Sequence, residues 1–201
     1  MVNRTIERGA TPYEIIAIAS SAGGLHALSK VLNGLPSNLP AVIVVVQHLA
    51  PHHRSMMAEI LNKRTNLIVK QAEAKDRIKH GTVYIAPPDH HLLVEADQTL
   101  TLTQTELVHF VRPSADLLFE SVAGSYKEKA IAVVLTGSGH DGSMGCEAIQ
   151  KMGGMVIAQS GLSAEFSSMP TSAIATNCVD LELDLEDISA ALIKLVIGNK
   201  I

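Results

Sequence analysis

Tryptophan is absent from this 201-residue chain and aromatic residues make up only 3% of it, so ring stacking is a poor basis for holding sugars or single-stranded nucleic acid. Cysteine is equally scarce. Cys146 and Cys178 stand alone, far apart and outside any CxxC spacing; that argues against a disulfide framework or a structural zinc site and suits a reducing, cytoplasmic setting. Positive charge does not dominate either: 16 basic against 20 acidic residues leave a net charge of −4, with no basic run of the kind nucleic acid or a membrane surface attracts. No apolar run approaches the ~18 residues of a membrane span, and the N-terminal stretch lacks the apolar segment of a secretion signal. HExxH and GxSxG are missing as well, which disfavours a zinc-protease helix and an ordinary α/β-hydrolase nucleophile turn.

What the chain does have is 47% hydrophobic residues and only 8 prolines, enough to build one sizeable core. A single domain over residues 1–201 is expected, with 1–12 as an N-terminal extension. Apolar runs predict strands near Ile15–Ala19, Ala41–Val46, Leu67–Gln71, Thr82–Ala86, Ala130–Leu135, Met155–Gln159 and Cys178–Leu183. Helical spacing predicts helices near Gly24–Leu32, Arg54–Lys63, Ala115–Tyr126, Ser143–Met152, Pro170–Thr176 and Leu185–Ile197. Strands alternating with helices in this way imply an α/β fold, a doubly wound and mostly parallel sheet with helices on both faces. LLVEA and TLTLT, between Leu92 and Thr103, break the rhythm and read as a small antiparallel hairpin decorating one edge.

Ligands of open α/β sheets bind outside the carboxyl ends of the strands, and that rule narrows the field of candidate residues. Ser20 and Ser21 follow the first strand, Gln47 and His48 the second, and the loop TGSGHDG, Thr136–Gly142, the strand after Ala130. In AIASSAGG the glycine pair permits a tight turn, and a helix start offers unpaired amides to a negative charge. Taken alone, Ser21 there suits a helix cap and Asp141 suits the cap of its own helix. Together, Ser21, His48 and Asp141 supply a nucleophile, a base and a group to orient the base.

Two rival readings carry less. His48 and His52 stand four apart, yet Pro51 between them breaks any helix that would align them on a metal, so no metal is expected. The other histidines, His26, His53, His80, His90, His91 and His109, read as surface or packing residues. Gly137, Gly139 and Gly142 match GxGxxG between a strand and a helix, the setting of a dinucleotide site. The acid such a site needs about 20 residues on is missing where the next strand ends, at Gln159 and Ser160, which disfavours a nucleotide-binding oxidoreductase.

The blocks AIASSAGG, VVVQHLAPHHRS, GTVYIAPPDHHLLV, VRPSADLLFESVA, VVLTGSGHDGSMG and MPTSAIAT, spread over residues 13–184, resemble the catalytic domain of the CheB-type protein-glutamate methylesterases of chemotaxis. The resemblance selects Ser21 over Ser20 and implies that Ser21 attacks, His48 moves the proton and Asp141 orients His48. It implies hydrolysis of glutamate γ-methyl esters on the cytoplasmic helices of chemoreceptors, with glutamine deamidation as a side activity and no cofactor. In the reading that the resemblance implies, the backbone amides of Ala22 and Ser138 are the candidates for an oxyanion hole. A docking module of the same fold, with hydrolysis weak or lost, is the alternative. The regulatory form of the family carries a receiver domain. Only about a dozen residues precede the first strand here, so regulation by a separate protein is expected. Ser20 stands where the family usually has a small apolar residue, and His140 where it often has asparagine.

Overall fold

The computed structural model describes residues 12–49 and 55–198. Residues 1–11 of the N-terminal extension, together with Pro51, His52 and His53, lie outside the described residues. In chain order the elements are β1 (Ile15–Ser20), α1 (Gly24–Asn33), β2 (Val42–Gln47), α2 (Met57–Asn62), β3 (Ile68–Gln71), β4 (Thr82–Ile85), β5 (His91–Val94) and β6 (Leu100–Thr103). They continue with α3 (Ala115–Tyr126), β7 (Ala130–Val134), α4 (Ser143–Lys151), β8 (Met155–Gln159), α5 (Ser168–Ala175), β9 (Leu181–Leu183) and α6 (Leu185–Val196).

Every residue of β1, β2 and β7 is buried, because runs that are apolar on both faces are stable only between two helical layers. Seven strands pair in parallel in the order β3-β4-β2-β1-β7-β8-β9. Alternation along β1 sends Ile16 and Ile18 into the layer that holds Leu28, Leu32, Ile188 and Leu192 of α1 and α6. Ile15, Ala17 and Ala19 face the other layer, where Leu118, Phe119 and Val122 of α3 pack with Cys146 and Ile149 of α4. Those two alanines leave room for the Phe119 ring. Gly145 lets α4 approach α3 closely, since a Cβ there would lie 2.5 Å from Phe119 Cβ.

From β1 the chain passes outward on one side to β2, and after the excursion through the hairpin it re-enters beside β1 as β7. The strand order therefore reverses at β1 and β7, and the crevice outside their carboxyl ends is the place where such sheets bind ligands. The loops after β1, β2 and β7 meet there.

The hairpin departs from its expected place. β5 and β6 form a separate two-stranded sheet rather than an edge of the large one, because Leu92, Val94 and Leu100 bury themselves in the α3 layer. The Ser121 hydroxyl donates to the Leu118 carbonyl and accepts from Val94 N–H, and Ser125 donates to the Val94 carbonyl, pinning the hairpin to α3. The last strand begins at Leu181 instead of Cys178: the Asp180 carboxylate accepts the Val156 amide at 2.9 Å, occupying the ladder position a longer strand would use.

Candidate active site

The register of β1 on β2 sets the site. Ser20 pairs with Gln47, so Ser21 and His48 are the next residues out of the sheet on neighbouring strands. Their backbones remain tied beyond the strands: His48 N–H donates to the Ser20 carbonyl and Ser21 N–H to the Thr136 carbonyl, both at 3.0 Å. The Gln47 amide holds the same corner from below. Its Nε2 donates to the carbonyls of Ser21 (2.7 Å) and His48 (3.0 Å), while its Oε1 accepts the buried Ser20 hydroxyl at 2.8 Å. Ser20 thus fixes which way the Gln47 amide points, a reason for a polar residue at the end of a buried strand.

Glycines close the corner. Gly23 adopts φ 75°, the left-handed region, and a side chain on Gly24 would run into Gln47 Oε1. Gly137, in the loop after β7, lies against the nucleophile candidate: a Cβ on it would sit 2.8 Å from Ser21 Cβ.

Asp141 reaches His48 from that same loop. Its Oδ2 lies 2.8 Å from His48 Nε2, with the two side chains only 4% and 13% exposed. The carboxylate also accepts Ala115 N–H at 2.6 Å, Asp116 N–H at 3.1 Å and the Ser114 hydroxyl at 2.8 Å. Asp141 therefore caps α3, not its own helix α4, whose start is Gly142 at φ 97°. Burial is the largest influence on this carboxyl and works to raise its pKa. The hydrogen bonds from His48 and from the Ala115 and Asp116 amides outweigh it and hold the group below the ordinary carboxylate range. An ionised acceptor on Nε2 keeps the proton on that nitrogen and leaves the Nδ1 lone pair as the basic position of His48. No hydrogen bond joins Ser21 Oγ to His48 among the described residues; loose nucleophile contacts are common without substrate.

Gly137 N–H is taken by the Phe166 carbonyl and Gly139 N–H by Ser168 Oγ, whereas the Ala22 and Ser138 amides make no hydrogen bond among the described residues. The occupied glycine amides also weigh against a dinucleotide site, which would need them for a pyrophosphate. Among the described residues no group of three or more His, Cys, Asp or Glu side chains is arranged to hold a metal ion.

A family model described as CheB methylesterase matches residues 16–192. The chain belongs to that family. A Leptospira interrogans protein is 43% identical over 93% of this chain and 97% of its own length. The Thermotoga maritima protein-glutamate methylesterase/protein-glutamine glutaminase is 38% identical over 96% of this chain, and a Methanosarcina acetivorans protein of the same name, with the suffix 2, is 37% identical over 96%. The chain spans about half the length of these two relatives, 57% and 56%. The crystal structure of the Thermotoga maritima CheB methylesterase catalytic domain superposes with a TM-score of 0.88 at 38% identity, covering 92% of this chain and 100% of that one.

Three members of this neighbourhood escaped the sequence reading. Ser114 follows the Arg-Pro pair and stands just before α3, where a capping serine is ordinary; its bond to Asp141 depends on a loop 27 residues away. His91 and His109, read as packing or surface residues, are both networked. His91 is buried, with Nδ1 accepting Ser114 N–H at 3.1 Å and Nε2 donating to the Glu106 carbonyl at 3.0 Å. His109 lies 3.3 Å from Asp116 Oδ2 and 3.2 Å from His140 Nε2.

Proposed function

We propose that this chain is a serine hydrolase that removes methyl groups from esterified glutamate side chains of methyl-accepting chemoreceptors, releasing methanol. The observation that carries the reading is the convergence of Ser21, His48 and Asp141 at one sheet edge, with His48 Nε2 2.8 Å from Asp141 Oδ2, in a chain of the CheB methylesterase family.

In this reading Ser21 Oγ attacks the ester carbonyl while His48 Nδ1 takes its proton. Asp141 stabilises the imidazolium that results and does not itself become protonated. The Ala22 and Ser138 amides face the developing oxyanion, each donor worth ~3 kcal/mol of transition-state stabilisation. Collapse breaks the carbon–methoxy bond, and His48 returns its proton to the departing methanol. Water, deprotonated in turn by His48, then attacks the acyl-enzyme carbonyl; the bond to Ser21 Oγ breaks, His48 returns the proton to Oγ, and the glutamate leaves as its carboxylate. An amide in place of the ester follows the same course with ammonia leaving, which accounts for glutamine deamidation. No helix among the described residues is long and apolar enough to cross a membrane, in keeping with action on the cytoplasmic helices of a receptor.

The test is methanol release from methylated receptor fragments by wild type and by Ser21→Ala. Wild type is expected to release methanol and the variant to fall by at least about 10³-fold. Equal, negligible rates for the two would remove the activity, and release unaffected by the substitution would remove Ser21 from it.

A further inference from the structure

The segment between the hairpin and α3 carries a costly turn. Val108 and Val111 exchange backbone hydrogen bonds, N–H of 111 to O of 108 at 2.9 Å and N–H of 108 to O of 111 at 3.2 Å, which closes a two-residue turn over His109 and Phe110. Both central residues have positive φ, 49° and 64°. That pair of signs belongs to the type I′ turn, whose natural residues are Asn and Gly because bulky side chains are strained there. This chain places histidine and phenylalanine in those positions. Moreover, the Phe110 side chain gains nothing from the core, for the residue is 95% exposed.

Backbone strain combined with an unburied aromatic at a turn tip points to a use outside the fold. Phe110 lines a cavity of about 340 Å³ whose wall includes His48 itself, together with Leu49, Leu107 and the Arg112–Asp89 pair. The charged members are already engaged with each other and with backbone. Arg112 donates to Asp89 Oδ1 through Nη2 (2.6 Å) and Nε (2.9 Å), and through Nη1 to the Thr105 and Gln104 carbonyls. What the cavity offers an incoming group is therefore its apolar side: Leu49, the half-exposed Leu107 and the Phe110 ring. His109 holds the turn in place from behind through its contacts to Asp116 and His140.

We propose that Phe110 is a specificity-determining residue, clamping an apolar side chain of a protein substrate in the cavity beside His48. The enzyme then favours an esterified glutamate flanked by apolar residues on a protein segment over a free small ester. The inference rests on the methylesterase reading above and names what the same site recognises. It predicts opposite signs for stability and recognition: the native turn is less stable than its glycine replacement, and the strain is kept for the ring.

The experiment compares two probes, a methylated cytoplasmic receptor fragment and a small N-acylated glutamate γ-methyl ester, on wild type, Phe110→Gly, Phe110→Ala and Phe110→Tyr. The ratio of kcat/KM for the fragment to kcat/KM for the small ester should fall about tenfold in the glycine and alanine variants, the size expected for losing one aromatic anchor. Tyrosine should restore it. Phe110→Gly should also raise Tm by about 2–4 °C through relief of the turn. A ratio within twofold of wild type in both variants overturns the proposal, and so does a glycine variant that melts lower. Ser21-dependent turnover of the small ester by wild type is the separate check on the methylesterase reading, and its failure is distinguishable from a failure of Phe110.

Discussion

Asp141 Oδ2 accepts the first amide of α3, Ala115 N–H, at 2.6 Å while lying 2.8 Å from His48 Nε2. One carboxylate is thus both the cap of a helix and the partner of the site's histidine. The positive end of the α3 dipole and the hydrogen bonds there favour its charge, so fold stability and the orientation of His48 depend on the same atoms.

Asp141→Asn should expose that double role. An asparagine amide cannot accept from His48, Ser114 and two backbone amides at once, and its NH₂ would confront a donor on one side. The wrong His48 tautomer follows, with kcat for methanol release expected to fall about 10⁴-fold. Stability should fall by about 2 kcal/mol as well, since hydrogen bonds to a charged group are lost. Acid should act on the wild type in the matching direction. The native pKa lies below its unfolded value, so the stability Asp141 contributes is present above the ordinary carboxylate range and is lost as pH falls through the native value. Urea titrations of both proteins, alongside methanol release, measure the two effects; a variant with wild-type kcat would contradict the assignment.

Asp116 behaves in the opposite sense. Burial, followed by the negative Asp141 nearby, pushes its carboxyl up to about 6 despite the hydrogen bond from Gly145 N–H. Its Oδ2 is buried without a hydrogen-bond partner, the 3.3 Å approach of His109 Nε2 lacking good geometry. A native pKa above the unfolded one means the folded state binds the extra proton between about pH 4 and 6, so stability is withdrawn as pH rises through that window. Asp116→Asn keeps an acceptor for Gly145 and removes the charge. It should be more stable than wild type by up to about 3 kcal/mol at pH 8, with the gap closing below about pH 4. Tm measured across that range decides it, and a wild type that melts higher at pH 8 would refute it.

Much of this was legible in the chain because the signals were local. VIVVV and AIAVV are apolar at every position, and only a sheet covered on both faces accommodates such runs; the strand ends then bring Ser21, His48 and Asp141 to one edge. The missed features were relations between distant segments. The capping value of Asp141 is obvious from its place before α4, but nothing in the local pattern says that it caps α3 instead. The hairpin was recognisable from its alternation, and its docking on α3 was not, since Ser121 and Ser125 look like ordinary polar positions of an amphipathic helix. His91 reads as a surface or packing residue, and nothing local says that its ring accepts Ser114 N–H and binds the Glu106 carbonyl.

Cys146 supplies a check on the core that does not involve the site. Its thiol is fully buried between α4 and the sheet, and burial, reinforced by the charge of Asp116, pushes it far above the ordinary thiol range. The thiolate is the reactive species, so Cys146 should resist iodoacetamide in the native protein at pH 8 and react once urea unfolds it. Peptide mapping after labelling gives the answer; rapid native alkylation would mean that the α4 layer opens readily.

Ser20 carries the last prediction. Its hydroxyl, fully buried, is the donor that orients Gln47 Oε1, and the other end of that amide ties the Ser21 and His48 carbonyls together. Ser20→Ala leaves a buried carbonyl oxygen of Gln47 without its donor, a loss of about 1–3 kcal/mol in stability. With the amide no longer held one way round, Nε2 loses its fixed grip on the two carbonyls, and the spacing between Ser21 and His48 loosens. Small misplacements of reacting groups are expensive, so kcat should fall about tenfold while KM for the receptor fragment stays near wild type. Ser20→Thr, which keeps the hydroxyl, should recover most of that kcat if its added methyl fits beside Gly24. A Ser20→Ala enzyme with unchanged kcat would reduce Ser20 to a packing residue and leave Gln47 oriented by its two backbone acceptors alone.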